Sequence, residues 1–257
     1  MTPTTYAALI LAGMFLLTMP VFAVVSRNRP VDADVARRPT TFLLGTWVRD
    51  WLMWLISPAE RAFVSWGLSP DLFNYFGGLM GLAAGFAYAK ESLALGGWLV
   101  LVGGVADIID GRIARARRVA SDYGEFLDSM LDRFAEMFAF IGLAVYFEAV
   151  PLAMTATILA LGGSLMVSYA RAKGEGVRVD CRGGVMQRAE RLVLLGVASI
   201  VDSPLTRALH WHNGAILLTV IVLIGAGSIG TAVYRTVFVA RELRKRERET
   251  GEGKHIV

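Results

Sequence analysis

Four aspartates, Asp107, Asp110, Asp128 and Asp132, stand in the stretch "DIIDGRIARARRVASDYGEFLDSMLD" between two strongly apolar parts of the chain. Residues three or four apart share a helix face, so Asp107 pairs with Asp110 and Asp128 with Asp132. Two helices joined by a tight turn would bring the four carboxylates together. Hard oxygen ligands clustered this way suit Mg²⁺ or Mn²⁺, above all where substrate phosphates complete the coordination. Two such ions on a phosphate pair can orient it and stabilise the charge on the leaving group. Each aspartate in a membrane helix costs about 2.5–3.5 kcal/mol on insertion scales, so something cationic must compensate. Two other readings compete. The acids could be neutralised by Arg112, Arg115 and Arg133 in a solvated loop, or they could mark the ion pathway of a cation transporter. The small residues Gly111, Ala114 and Gly124 alternate with the acids, which favours a site where a nucleotide approaches the backbone closely. A transporter fits less well, because the acids sit at one end of their spans and no pair of broken helices recurs in matching halves.

The elements that must position these residues are membrane helices. Of 257 residues 55% are hydrophobic, and the mean hydropathy is +0.52, above the roughly 45–50% apolar usage of soluble domains. A span needs about 20 apolar residues, and apolar windows recur near residues 5–25, 72–89, 93–111, 134–148, 150–170, 192–202 and 213–239. The fold class is therefore an all-α, polytopic membrane helix bundle. The window at 192–202 is short, so its helix must begin earlier, near Gln187. Gly77, Gly81 and Gly85 recur every four residues, the small-xxx-small spacing that lets helices pack closely.

The basic residues concentrate in segments 26–70, 112–118, 171–191 and 241–257, whereas the opposite loops offer only Lys90 and Arg207. Positive charge stays on the cytoplasmic side, which places the aspartates there and the amino terminus outside. Topology and anionic lipid headgroups account for the pI near 9.4, and no nucleic-acid partner is called for. The first apolar run has no basic residue before it and several after it, the reverse of a secretory signal, so it reads as a retained anchor. The single cysteine, Cys181, excludes an intrachain disulfide. "TWVRDWLMWLISPAERAFVSW", residues 46–66, is amphipathic: Trp47, Trp51, Trp54, Leu55 and Ala62 on one side, Arg49, Asp50, Ser57, Glu60 and Arg61 on the other. That pattern predicts a helix lying in the membrane interface. His210 and His212 fall in an outer loop, distant from the acids, and read as interfacial rather than as metal ligands.

The pattern D-x-x-D-G-x-x-A-R, eight residues, G-x-x-x-D-x-x-x-D resembles the signature of the CDP-alcohol phosphatidyltransferases. Asp107, Asp110, Gly111, Ala114, Arg115, Gly124, Asp128 and Asp132 meet it at every fixed position. The resemblance implies a six-helix membrane core, usually homodimeric, over about residues 41–240, with an anchor and linker in 1–40 and a basic tail in 241–257 outside it. It implies a metal-dependent reaction in which a CDP-linked lipid such as CDP-diacylglycerol donates its phosphatidyl group to an alcohol and releases CMP. By position, Asp107, Asp110 and Asp128 resemble the metal ligands, and Asp132 resembles a residue that contacts the metal site and acts as the base. Gly111, Ala114, Arg115 and Gly124 match positions that hold the cytidine diphosphate. Where the family often shows Pro-Asn-x-x-Thr, this chain has "PDLFN", so Asn74 is the residue left to contact the donor.

The acceptor is read from "SYARAKGEG" and "QRAERLV", which put Ser168, Arg171, Lys173, Arg188 and Arg191 at the cytoplasmic ends of neighbouring spans. Such a set suits an anionic alcohol. Together with "LDSMLDRFAE" these phrases resemble the inositol-phosphate branch of the family. Glycerol 3-phosphate and serine stand as alternative acceptors.

Overall fold

The computed structural model describes residues 3–37 and 45–250. The expected boundary at 40/41 and the last residues of the basic tail lie outside the described residues. Among the described residues the chain is helical without strands, in the order α1 (Pro3–Val25), a 3₁₀ turn (Ser26–Asn28), α2 (Ala33–Arg37), α3 (Thr46–Ser65), α4 (Pro70–Ala89), α5 (Leu93–Arg117), α6 (Asp122–Tyr146), α7 (Pro151–Gly176), α8 (Arg188–Ala208) and α9 (Ala215–Thr250). Each of the seven apolar windows falls on a helix. Four segments, Leu9–Asn28, Leu93–Arg117, Pro151–Gly176 and Ala215–Glu249, are long and apolar enough to cross a membrane by length and composition.

Local chemistry sets the helix starts. Ser69 accepts the Asp71 backbone N–H ahead of Pro70 at the first helical position of α4, the arrangement that satisfies an orphan donor and pre-sets φ. Ser121 caps α6 in the same way through the Gly124 N–H. Helix α6 therefore begins some twelve residues before its apolar window, so Asp128 and Asp132 lie on its second and third turns. Helix α8 starts at Arg188, directly after Gln187, where the short window required. Helix α5 ends at Arg118, whose φ of 54° turns the chain sharply toward α6.

Helix α4 is the wedge between α5 and α6, which scarcely touch one another directly. Its glycines make this possible. A Cβ on Gly81 would collide with the Ala135 backbone, one on Gly85 with the Phe138 carbonyl, and Gly77 faces the Gly103 carbonyl of α5. Gly142 of α6 meets Gly85 in return. The main core, with Tyr88, Phe140, Leu143, Leu195, Leu217 and Ile221 fully buried, joins α4 to α9. A smaller core of Val35, Met53, Ile56, Ile109 and Ile113 seats α2 and α3 against the end of α5.

The tryptophan side of α3 meets α1: Trp51 packs edge-on to Phe15 at 4.6 Å and donates to Thr18 at 2.9 Å, and Phe22 lies 5.5 Å from both Trp47, edge-on, and Trp54, tilted. The two-sided wheel holds only in part. Asp50, on the polar side, is 5% exposed and accepts the Asp32 backbone N–H at 2.9 Å, because the chain between α1 and α2 folds back over it.

Candidate functional site

Helix α5 ends in a run that carries Asp107 and Asp110 on one face, and the early start of α6 puts Asp128 and Asp132 level with them. A carboxylate oxygen from each of Asp107, Asp110 and Asp128 lies within 4.8 Å of the other two. Asp132 stands one turn further along α6, tied to the cluster through Arg188. That guanidinium places Nη1 3.0 Å from Asp107 and Nη2 2.5 Å from Asp132. Asp110 is the most enclosed of the four, at 5% exposure. In the amide orientation that satisfies its neighbours, Asn74 of α4 donates to Asp110 and, at 3.3 Å, to Asp128. The site thus draws on α4, α5, α6 and the first residue of α8.

Arg112, Arg115 and Arg133 form no ion pair with the four aspartates. Arg112 points to the opposite face of α5, where it meets Glu60 at 2.5 Å and Asp32 at 3.2 Å. Arg115 pairs with Asp34 at 2.8 Å. Arg133 turns back along its own helix to the Ser129 carbonyl and hydroxyl. Among the described residues Arg188 is therefore the cation that ion-pairs with the acids, reaching Asp107 and Asp132, and the cluster sets four carboxyls against that one guanidinium. Hard carboxylate oxygens at this spacing, oriented by a neutral amide, fit a divalent metal ion.

The residues expected to hold the nucleotide line the outer surface of the same turn. The Arg115 guanidinium overlies Gly111, where a Cβ would sit 3.1 Å from Nη1, and at Gly124 the nearest atom to such a Cβ is the Ser121 hydroxyl at 3.4 Å. Ala114 is half-buried between them.

The acceptor residues divide. Only Arg188 contacts the aspartates. Arg191, 1% exposed, is engaged bidentately by Glu136 of α6 at 2.7 and 3.1 Å and donates to the Met186 carbonyl at 3.2 Å. Its charge is spent inside the bundle, on the carboxylate that offsets the cost of burying it. Arg171 pairs along its own helix with Glu175 at 2.8 Å, Lys173 lies 5.8 Å from the Tyr169 ring, and Ser168 is half-buried on the same stretch of α7. A cavity of about 30 Å³, lined in part by Asp132, Glu136, Arg188 and Arg191, lies beneath the acids. It has room for about one water, so the reactants must enter from the open side. His210 and His212 follow the end of α8, a helix length of about 30 Å from Arg188.

Sequence reasoning missed Glu136, although it continues the Asp128, Asp132 stripe at i+4. It also missed Arg235 of α9, which donates to the carbonyls of Gly183 and Val167, both at 2.9 Å, and so holds the α7–α8 connection in place behind Arg188.

Comparison with known proteins places these observations. The family profile described as CDP-alcohol phosphatidyltransferase matches residues 67–224. The chain is 34% identical over 179 residues to the archaetidylinositol phosphate synthase of Methanothermobacter thermautotrophicus, covering 69% of this chain and 86% of that protein. It is 33% identical over 196 residues to the phosphatidylinositol phosphate synthase of Cutibacterium acnes, covering 73% and 93%. The crystal structure of Mycobacterium tuberculosis phosphatidylinositol phosphate synthase with CDP-DAG bound superposes with a TM-score of 0.62 at 26% identity, over 71% of this chain and 92% of that one. The same enzyme in complex with manganese and citrate gives a TM-score of 0.63 at 26% identity, over 71% and 87%.

Proposed function

This chain belongs to the CDP-alcohol phosphatidyltransferase family, and on that premise we propose that it transfers the phosphatidyl group of CDP-diacylglycerol to inositol 1-phosphate, releasing CMP. The observation that carries the proposal is the acid cluster itself. Three carboxylates converge within 4.8 Å, a fourth stands beside them, and a single arginine spans the set. The names of the relatives support the choice of acceptor.

In this reading Asp107, Asp110 and Asp128 hold the divalent metal, with Asp132 in contact with the same site. When bound, Mg²⁺ or Mn²⁺ neutralises the diphosphate and stabilises negative charge on the departing phosphate. Asn74 fixes the rotamers of Asp110 and Asp128. Gly111, Ala114, Arg115 and Gly124 receive the cytidine diphosphate on the outer turn. Asp132 accepts the proton of the acceptor hydroxyl as its oxygen bonds to the lipid-bearing phosphorus and the bond to the bridging oxygen breaks, leaving CMP. Arg188 presents a fixed cation next to that hydroxyl, suited to an acceptor phosphate. Ser168, Arg171 and Lys173 supply the outer edge of the acceptor region, and Arg191 acts through Glu136 and the α7–α8 connection.

Residues 1–40 form an anchor and linker, 41–240 the transferase domain and 241–257 a basic tail. The site faces the cytoplasm and the amino terminus lies outside, as the basic segments require; the assembly is a homodimer. A cysteine at Thr4 in a Cys181→Ser background should react with an impermeant reagent in whole cells, and one at Thr250 should not.

The test of the reaction is an acceptor screen. Purified protein with CDP-diacylglycerol and Mn²⁺ or Mg²⁺ should release CMP with inositol 1-phosphate and do so poorly with unphosphorylated inositol. Turnover of glycerol 3-phosphate or serine with inositol phosphate ignored would move the acceptor while keeping the reaction class. A protein that releases no CMP with any acceptor would end the proposal.

A further inference from the structure

A second cavity, of about 500 Å³, opens on the face of α5 away from the aspartates, and its walls include Arg29, Arg61, Arg112, Trp54, Leu55 and Pro58. Its volume is that of a small-ligand site. Except for Arg112, these residues precede the stretch the family profile covers, so the cavity is a creation of the N-terminal segment folded against α3 and α5.

The charges in it are unequal in status. Arg112 is already committed to Glu60 at 2.5 Å and to Asp32 at 3.2 Å. Arg29 is different: its Nη1 is shielded from solvent and has no hydrogen-bond partner. Arg61 is exposed and meets no acid among the described residues. Arg61 and Arg29 therefore add to a cluster whose acids are already paired with Arg112 and Arg115, and Arg29 brings an unused buried donor. An unsatisfied arginine nitrogen is costly unless an anion accepts from it. A phosphate oxyanion has the acceptor geometry that guanidinium groups recognise.

The surroundings decide between a soluble phosphate and a lipid. Trp54 lies 5.5 Å from Phe22 of α1 by ring centroids, so the apolar wall of the cavity continues onto that helix. The apolar window of α1 is only 6% buried, with Leu17, Val21 and Val24 exposed. Arg29 directly follows the apolar segment Leu9–Asn28, at the level where the chain leaves the apolar layer. Tryptophan and arginine in a pocket at that level match the requirements of a headgroup held at the interface with its chains alongside an apolar helix. We propose that this cavity binds the headgroup of one anionic phospholipid, with the phosphate on Arg29 and Arg61 and the acyl chains along α1. The site is separate from the one that holds the reactants.

Native mass spectrometry of the full chain, incubated with equal amounts of phosphatidylglycerol and phosphatidylcholine, reads the proposal. The wild type should retain one phosphatidylglycerol in preference to phosphatidylcholine, and the Arg29→Ala, Arg61→Ala double variant should lose that preference by about tenfold. CDP-diacylglycerol retention, the control for an intact fold, should be the same in both. Should the double variant fail that control, Arg61→Glu alone, at an exposed position, should still lower phosphatidylglycerol retention. Equal preference in wild type and variants would overturn the proposal. Displacement of the lipid by inorganic phosphate would also overturn it, in favour of a soluble anion.

Discussion

On one face of α5, Asp107 and Asp110 meet Asp128 and Asp132 around the single guanidinium of Arg188. On the opposite face Arg112 meets Asp32, Asp34 and Glu60, with Arg115 of the nucleotide turn sharing Asp34 and Arg29 close enough to add its field to Asp32. The second cluster is close to neutral, and every acid in it has an arginine within 3.6 Å. The first sets four carboxyls against one arginine, and Asp110 and Asp128 meet a neutral amide instead of a cation. Neighbouring turns of one helix thus carry a saturated latch and an unsaturated ligand set. A folded chain tolerates buried charge when partners of the other sign are at hand; acids kept near each other without them mark a place where the missing charge comes from outside.

Removing acids from the unsaturated face should have the largest effect. Asp132→Asn keeps the shape and removes the proton acceptor, so kcat should fall by about 10²–10⁴-fold while CDP-diacylglycerol affinity changes little. Near-normal turnover would refute the role of Asp132. An intermediate effect is expected at the fully buried ion pair of Arg191 with Glu136. Arg191→Ala strips a buried carboxylate of its hydrogen-bonded ion-pair partner and should destabilise the fold by about 3–5 kcal/mol, visible as a lower thermal midpoint. An unchanged midpoint with a raised KM for the acceptor would instead return Arg191 to the acceptor site.

The latch should give the smallest effects. Arg112→Ala should leave kcat within about twofold and cost about 1–3 kcal/mol locally, read as faster hydrogen exchange in α2 and α3. Burial pushes the Asp32 carboxyl up, but hydrogen bonds and charge from Arg112 outweigh it and hold it below the ordinary value of 3.8. The stability this contributes is full above 3.8 and is lost as the pH falls from there through the lower folded value. Exchange in α2 should therefore stay slow down an acid series to that point and then rise. A rise already at neutral pH would contradict the latch.

The two faces were unequally legible in the sequence. The acid cluster could be read because each pair is local, at i, i+3 or i, i+4, and because charge inside apolar helices stands out. The start of α8 just after Gln187 was legible because a span needs a minimum length. The start of α6 was signalled by Ser121, Asp122 and Glu125, a capping residue followed by acids in the first turn, but the hydropathy window passed over it. The latch was not legible, because Asp32 and Arg112 lie 80 residues apart and nothing local tells a paired arginine from a solvated one. Arg191 failed in the same way. Spacing put it beside Arg188, and only the packing of α6 against α8 shows that its charge is already taken.

The account rests on the claim that the unsaturated acids are the metal site and the latch is not. Electron paramagnetic resonance titration of Mn²⁺ into purified wild type, Asp110→Asn and Arg112→Ala tests it without substrate turnover. The account predicts saturable Mn²⁺ binding in wild type and Arg112→Ala, and its loss or weakening by at least about tenfold in Asp110→Asn. Equal binding by Asp110→Asn and wild type would contradict it.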